Sequence, residues 1–169
     1  IKAQDDYRRI TDLSEIQNGS IIIFAARHDS LSVTSYYAMT NAAAGKPQGV
    51  MFSSDTSGEG EVLPSEIINN ESDYCWTVGM SGTDYTFINA DGDMIGYGSS
   101  GTDFVKNGTN PTWTIALSTS GEGTSVPNYS AFVITNVGAS NRSFAFRKYN
   151  SGEPYEKFAP YSNSASNMG

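Results

Sequence analysis

Two tryptophan triplets, Trp76-Thr77-Val78 and Trp113-Thr114-Ile115, each lead into a loop and then into a strand of similar pattern. Those strands are Tyr85-Thr86-Phe87-Ile88-Asn89 and Phe132-Val133-Ile134-Thr135-Asn136. Alternating apolar and polar residues identify each segment as a strand with one buried face. Their recurrence points to an internally repeated all-β chain. In such a chain each unit is too small to bury its own apolar face, so the units must share one core.

Further strands fill out the units. The first set reads Ile21 to Ala26, Tyr36 to Met39, Val50 to Phe52 and Tyr74 to Val78. The second reads Tyr85 to Asn89, Met94 to Tyr97, Phe104-Val105 and Thr112 to Leu117. The third reads Phe132 to Val137, Ser143 to Phe146 and Lys157 to Tyr161. Between them lie turn signals at Asn18-Gly19 and Asp91-Gly92, a polar loop from His28 to Thr34, and an acidic loop from Ser53 to Asp73. Pro64 to Ile68 has the pattern of one helical turn, and Asp12 or Ser14 is placed to cap a short turn over Ile10 to Ile16.

Three quasi-repeats of four short strands is the layout of a β-trefoil, with six strands closing a barrel and six capping it. The repeats fall at about 18–80, 81–118 and 128–161, followed by a polar tail at 162–169, all within a single domain. Trp76 and Trp113 become equivalent core residues. A two-sheet β-sandwich accommodates the same strands and is the alternative. The third repeat shows only three strands, because the residues after Tyr161 carry no alternating apolar pattern. An unfilled barrel position of this kind is expected either to be filled by a continuation of the native sequence past Gly169, the favoured reading, or to invite a strand from a neighbouring domain or a partner protein.

Charge and composition narrow the function. The net charge is −8, with no basic stripe, so a nucleic-acid partner is disfavoured. No apolar run approaches the length of a membrane span. One cysteine, Cys75, excludes an internal disulfide framework and any cysteine-based zinc site. His28 is the only histidine and sits in a polar segment beside Arg27 and Asp29. A Ser-His-Asp hydrolase needs an imidazole held by a buried carboxylate, whereas a lone loop histidine is more often a solvated side chain, so no catalytic residue is expected. Asn89, Asp91 and Asp93 have the look of a calcium loop, but apolar strand follows where further oxygen ligands belong, and a hairpin turn is the better reading. No metal or cofactor is expected. The chain starts at Ile1, which points to a cleaved leader or an excised domain. With a low-charge surface rich in Ser, Thr, Asn and Tyr, the expected location is secreted or on the outer cell surface.

The ordered segments Tyr7-Arg8-Arg9-Ile10-Thr11-Asp12-Leu13, Tyr37-Ala38-Met39-Thr40-Asn41, Leu63-Pro64-Ser65-Glu66-Ile67, Asn141-Arg142-Ser143-Phe144-Ala145 and Phe158-Ala159-Pro160-Tyr161 carry a resemblance. Together with the Trp triplets, they resemble an uncharacterised module of secreted and surface proteins in Bacteroides-type gut bacteria. That module is often appended to nuclease, phosphatase or immunoglobulin-like domains. The resemblance implies a non-catalytic accessory module that mediates interaction within a larger secreted or surface protein, and it supplies no catalytic residues. The alternative is a carbohydrate-binding module. Tyrosines are plentiful at turns and strand ends (Tyr36, Tyr37, Tyr97, Tyr149, Tyr155 and Tyr161), and aromatic platforms flanked by Asn or Asp suit sugars. The expected ligand-binding residues are Tyr36, Tyr37, Asn89, Asp91, Tyr97 and Asp103.

Overall fold

The computed structural model describes residues 7–29, 33–54, 62–118 and 131–162. These form an all-β protein of twelve strands: β1 Ile21–Ile22, β2 Ala25–Asp29, β3 Thr34–Met39, β4 Gly49–Ser54, β5 Trp76–Ser81, β6 Asp84–Ile88, β7 Ile95–Tyr97, β8 Phe104–Lys106, β9 Trp113–Ser118, β10 Ala131–Asn136, β11 Arg142–Asn150 and β12 Glu153–Ser162. One short helix, α1 (Ser65–Ile68), and two 3-10 turns, Leu13–Glu15 and Glu71–Asp73, are the only helical pieces among the described residues. A seven-stranded sheet has the order β1-β5-β6-β9-β10-β11-β12, and smaller sheets join β2-β3-β4 and β7-β8. Every pairing is antiparallel.

The pairing repeats along the chain. The first strand of a set pairs with its fourth, as β1 does with β5 and β6 with β9. The fourth then pairs with the first strand of the next set, β5 with β6 and β9 with β10. The two middle strands pair with each other, as in β3-β4, β7-β8 and β11-β12. Among the described residues no strand follows β12.

The core is aromatic and draws on all three sets. Trp76, Trp113, Tyr37 and Phe87 are fully covered. Phe144 of β11 is the meeting point: its ring lies 4.7 Å from Trp113, edge-on, 4.8 Å from Phe104 and 4.9 Å from Phe24. Phe24 in turn meets Phe87 edge-on at 4.9 Å and Trp76 at 6.1 Å. Offset and edge-on pairs of this kind add to the apolar burial they sit in. A second, smaller cluster forms on the outer face of β3, where Ala38 packs with Ile67 of α1 and with Tyr74.

Several local expectations are corrected. The segment Ile21 to Ala26 is not one strand. It breaks at Ile23-Phe24, where the chain leaves β5 for β3 and Phe24 turns into the core, its carbonyl accepting from Met39 N. His28 and Thr34 belong to strands β2 and β3 rather than to a loop. The loop after Val78 shrinks to Gly82-Thr83, because β5 runs on to Ser81 and Gly82 takes the positive φ of 64° that the tight turn requires. β12 is twice as long as its apolar pattern implied. Pro154 and Pro160 hide it in sequence, but they are tolerated because β12 is the last strand of the sheet. Asp12 caps the first turn as expected, its side chain accepting from Ser14 N while Glu15 accepts from Thr11 N and Asp12 N.

Candidate functional site

The six residues expected to bind a ligand do not gather into one surface. Tyr37 is fully covered, its ring 4.5 Å from Phe146. Tyr36 packs against Phe52 at 6.0 Å on the opposite face of β3, under the Arg27 guanidinium. Tyr97 is buried, with its hydroxyl donating to Gly101 O and Arg142 above its ring. As placed, these three rings face protein rather than solvent. Asn89 works within its turn: its Oδ1 accepts from Asp91 N and Asp93 N, and its Nδ2 donates to Asn41 O. Asp91 contributes only its backbone there, which is the Asx geometry of a hairpin turn. Hydrogen bonds from Asn107 and then Lys106 hold the Asp93 carboxyl below its usual range. Asp103 is exposed and paired with Lys46, beside the Gly45–Phe104 bridge. Among the described residues no group of His, Cys, Asp and Glu is arranged to hold a metal ion.

A different constellation forms where β2 and β3 meet the β11–β12 hairpin. Two β-bulges build it. In β3-β4 the register slips between Tyr36, opposite Ser53, and Tyr37, opposite Met51. In β11-β12 it slips between Arg147, opposite Lys157, and Tyr149, opposite Pro154, so Lys148 faces both Tyr155 and Glu156. Glu156 there adopts φ 51°, a left-handed conformation that costs a non-glycine residue about 1–3 kcal/mol and persists only where its surroundings enforce it. A bulge re-aims the side chain of the extra residue. Here the Glu156 carboxylate accepts from the Tyr37 hydroxyl at 3.4 Å, and the Glu156 carbonyl accepts from Gln48 Nε2.

Around that bond stand Ser35, buried, and Lys148, whose ammonium is 6.0 Å from the Tyr37 ring. Burial pushes the Tyr37 hydroxyl above its ordinary pKa, and Glu156 adds to the rise. Lys148 and Ser35 act against it. On the outer side, Lys148 lies 5.5 Å from the ring of Tyr149, and the His28 ring meets Tyr149 nearly edge-on at 6.1 Å. The Tyr149 ring is about half exposed, at 51%. Of these residues the sequence marks Tyr37 as a binding candidate, Tyr149 as one of many tyrosines and His28 as the lone histidine, and it marks none of Lys148, Ser35 and Glu156. The doublet Arg147-Lys148 in an otherwise acidic chain was the available signal. The bulge that turns Glu156 inward has none.

The second feature is an unfilled edge. β10 is paired with β9 over all six residues from Ala131 to Asn136, yet on its other side it meets β11 at Thr135–Ser143 alone. β1 is paired with β5 and, among the described residues, with nothing on its outer side, where Ile21 is 40% exposed. These two features belong to an all-β protein with recurrent strand pairing. Compared with known proteins, the chain matches no family model, no curated protein and no solved structure.

Proposed function

We propose that the chain folds as a β-trefoil in which the described residues leave one barrel position unfilled, and that it serves as a non-catalytic accessory module of a secreted or surface multidomain protein. Its role is to accept a strand from a neighbouring domain or partner protein. The observation that carries this reading is the strand order β1-β5-β6-β9-β10. Taken as five staves of a six-stranded barrel, it leaves one position, between β10 and β1. The first two sets fill the matching position with Trp76-Thr77-Val78 and Trp113-Thr114-Ile115. The strand that fits the third therefore alternates an aromatic and an aliphatic residue toward the core. Unpaired backbone groups at a sheet edge supply the affinity, and the inward side chains supply the specificity. A two-sheet sandwich explains the strand count but not the first-to-fourth, fourth-to-next-first pairing. The resemblance to modules appended to larger surface proteins and the low-charge, Ser/Thr/Asn/Tyr-rich sequence support the location.

The test is a titration of labelled protein with a synthetic peptide carrying Trp-Thr-Ile-Ala-Leu-Ser, the β9 sequence, against a scrambled control. Amide shifts confined to β1 and β10, seen with the ordered peptide alone, are expected. Shifts elsewhere, or none, sink the proposal.

A further inference from the structure

The corner where β2 and β3 meet the β11–β12 hairpin also holds an exposed aromatic ring that its internal bonds do not involve. The Tyr37–Glu156 bond ties the two hairpins together, and the Lys148 ammonium also hydrogen-bonds the Tyr37 hydroxyl, but Tyr149 takes part in neither. Its ring is half exposed beside the strained bulge, with the Lys148 ammonium 5.5 Å away and the His28 ring nearly edge-on. The chain carries −8 in all, yet the β11–β12 hairpin holds four cations against two carboxylates, and of these cations Lys148 is the one that lies over the Tyr149 ring.

We infer that this corner is a binding site for an acidic saccharide: one sugar ring stacks on Tyr149, its carboxylate meets Lys148, and a hydroxyl donates to Glu156. The assignment follows from which chemistries the corner accepts. An exposed aromatic ring stacks the partly apolar face of a sugar or another flat, weakly polar group. An ammonium beside that ring, within cation–π distance of it, favours an anion at the ring's rim. The carboxylate of Glu156 repels a ligand that is anionic throughout, whereas it satisfies one that brings hydroxyl donors. Uronic acids combine an apolar face, a carboxylate and hydroxyls on one ring, and a neutral sugar or an acidic peptide lacks one of the three. The site is separate from the unfilled barrel position, and neither depends on the other.

Calorimetric titration of the full chain with trigalacturonate, maltotriose and polyglutamate tests it. Trigalacturonate is expected to bind, and maltotriose about tenfold more weakly for want of the anion. Tyr149→Ala and Lys148→Gln should each weaken trigalacturonate by about tenfold, while Lys148→Arg keeps most of the affinity. Tyr149 is half exposed, so its loss leaves the core intact, and unchanged circular dichroism of each variant confirms the comparison. Absence of trigalacturonate binding overturns the inference. So does binding that Tyr149→Ala leaves untouched, or polyglutamate binding as tightly as trigalacturonate, since either reduces the corner to a charge patch.

Discussion

Trp76 and Trp113 occupy matching places in sequence and are both fully covered, yet their indole nitrogens fare differently. Trp113 Nε1 donates to Ile95 O at 3.1 Å, while Trp76 Nε1 is buried without a hydrogen-bond partner. A buried donor left unsatisfied costs about 1–3 kcal/mol, and losing a satisfied one strands its acceptor. Trp113→Phe is therefore expected to destabilise more than Trp76→Phe by about 1 kcal/mol, read from urea midpoints at constant m-value. Equal losses would mean that volume alone matters at both sites. Tyr161 gives a second residue-scale prediction. Burial, and then its hydrogen bond with Tyr155, push its hydroxyl up to about 12, although the Arg147 guanidinium 4.0 Å over the ring pulls the other way. A raised folded-state value means that the neutral phenol is favoured in the folded protein. That contribution is complete below the unfolded value near 10 and is lost as pH climbs through about 12. Ultraviolet titration should find a late-ionising tyrosine, absent in Tyr161→Phe. The sequence announced the tryptophans, because large aromatics in alternating runs are buried somewhere. It could not announce the burial of both Tyr36 and Tyr37. Neighbours on a strand point to opposite faces, and only the folded chain shows that both faces of β3 are covered, one by Phe146 and the other by Phe52 and the α1 cluster.

Elements from distant parts of the chain meet closely at Gly49, the first residue of β4. A Cβ built there would lie 2.6 Å from Cε2 of Phe146 and 3.3 Å from the carbonyl oxygen of Glu156. The ring belongs to the core and the carbonyl to the bulge, so neither yields freely. Gly49→Ala is expected to cost about 1–3 kcal/mol through overpacking, and to displace the Glu156 backbone with it. Its signature is a fall in the tyrosine ionisation raised by burial of Tyr37, measured beside the loss in thermal midpoint. A variant as stable as the parent would show that the two hairpins are not in firm contact. The strands themselves were legible, since nearly all announced themselves by period-two alternation, and so was the capping Asp12. What stayed hidden was every departure from regularity: the break at Ile23-Phe24, the two bulges, and the proline-masked length of β12. Each is set by contacts with a strand distant in sequence, and a local pattern carries no trace of such a contact. The candidate corner is built from two of these departures, so Tyr37, Tyr149 and His28 are visible in the sequence while Lys148, Ser35 and Glu156 are not.

The molecule as a whole makes a demand that its parts do not. Antiparallel strands direct alternate backbone groups to either side, so about half the amides of β10 face β9 and the rest face the other edge. Along Ala131 to Ile134 that other edge meets no partner among the described residues, and on that side β10 touches β11 only at Thr135–Ser143, as β9 touches β6 only at Tyr85–Trp113. An unpaired edge of apolar alternation is a template for another chain. Native-state hydrogen exchange should therefore split β10 into slow and fast amides in alternation, with the fast ones exchanging through local fluctuation rather than global unfolding. Under the strand-accepting reading, an occupant protects the fast set and leaves the slow set unchanged. The rise in thermal midpoint should then follow occupancy by mass action, about 2.7 kcal/mol at a hundredfold excess over Kd. If every β10 amide is slow in the isolated chain, the edge is already covered and the vacancy does not exist. If the fast set stays fast while the peptide raises stability, the strand docks elsewhere and the five-stave reading of the sheet fails.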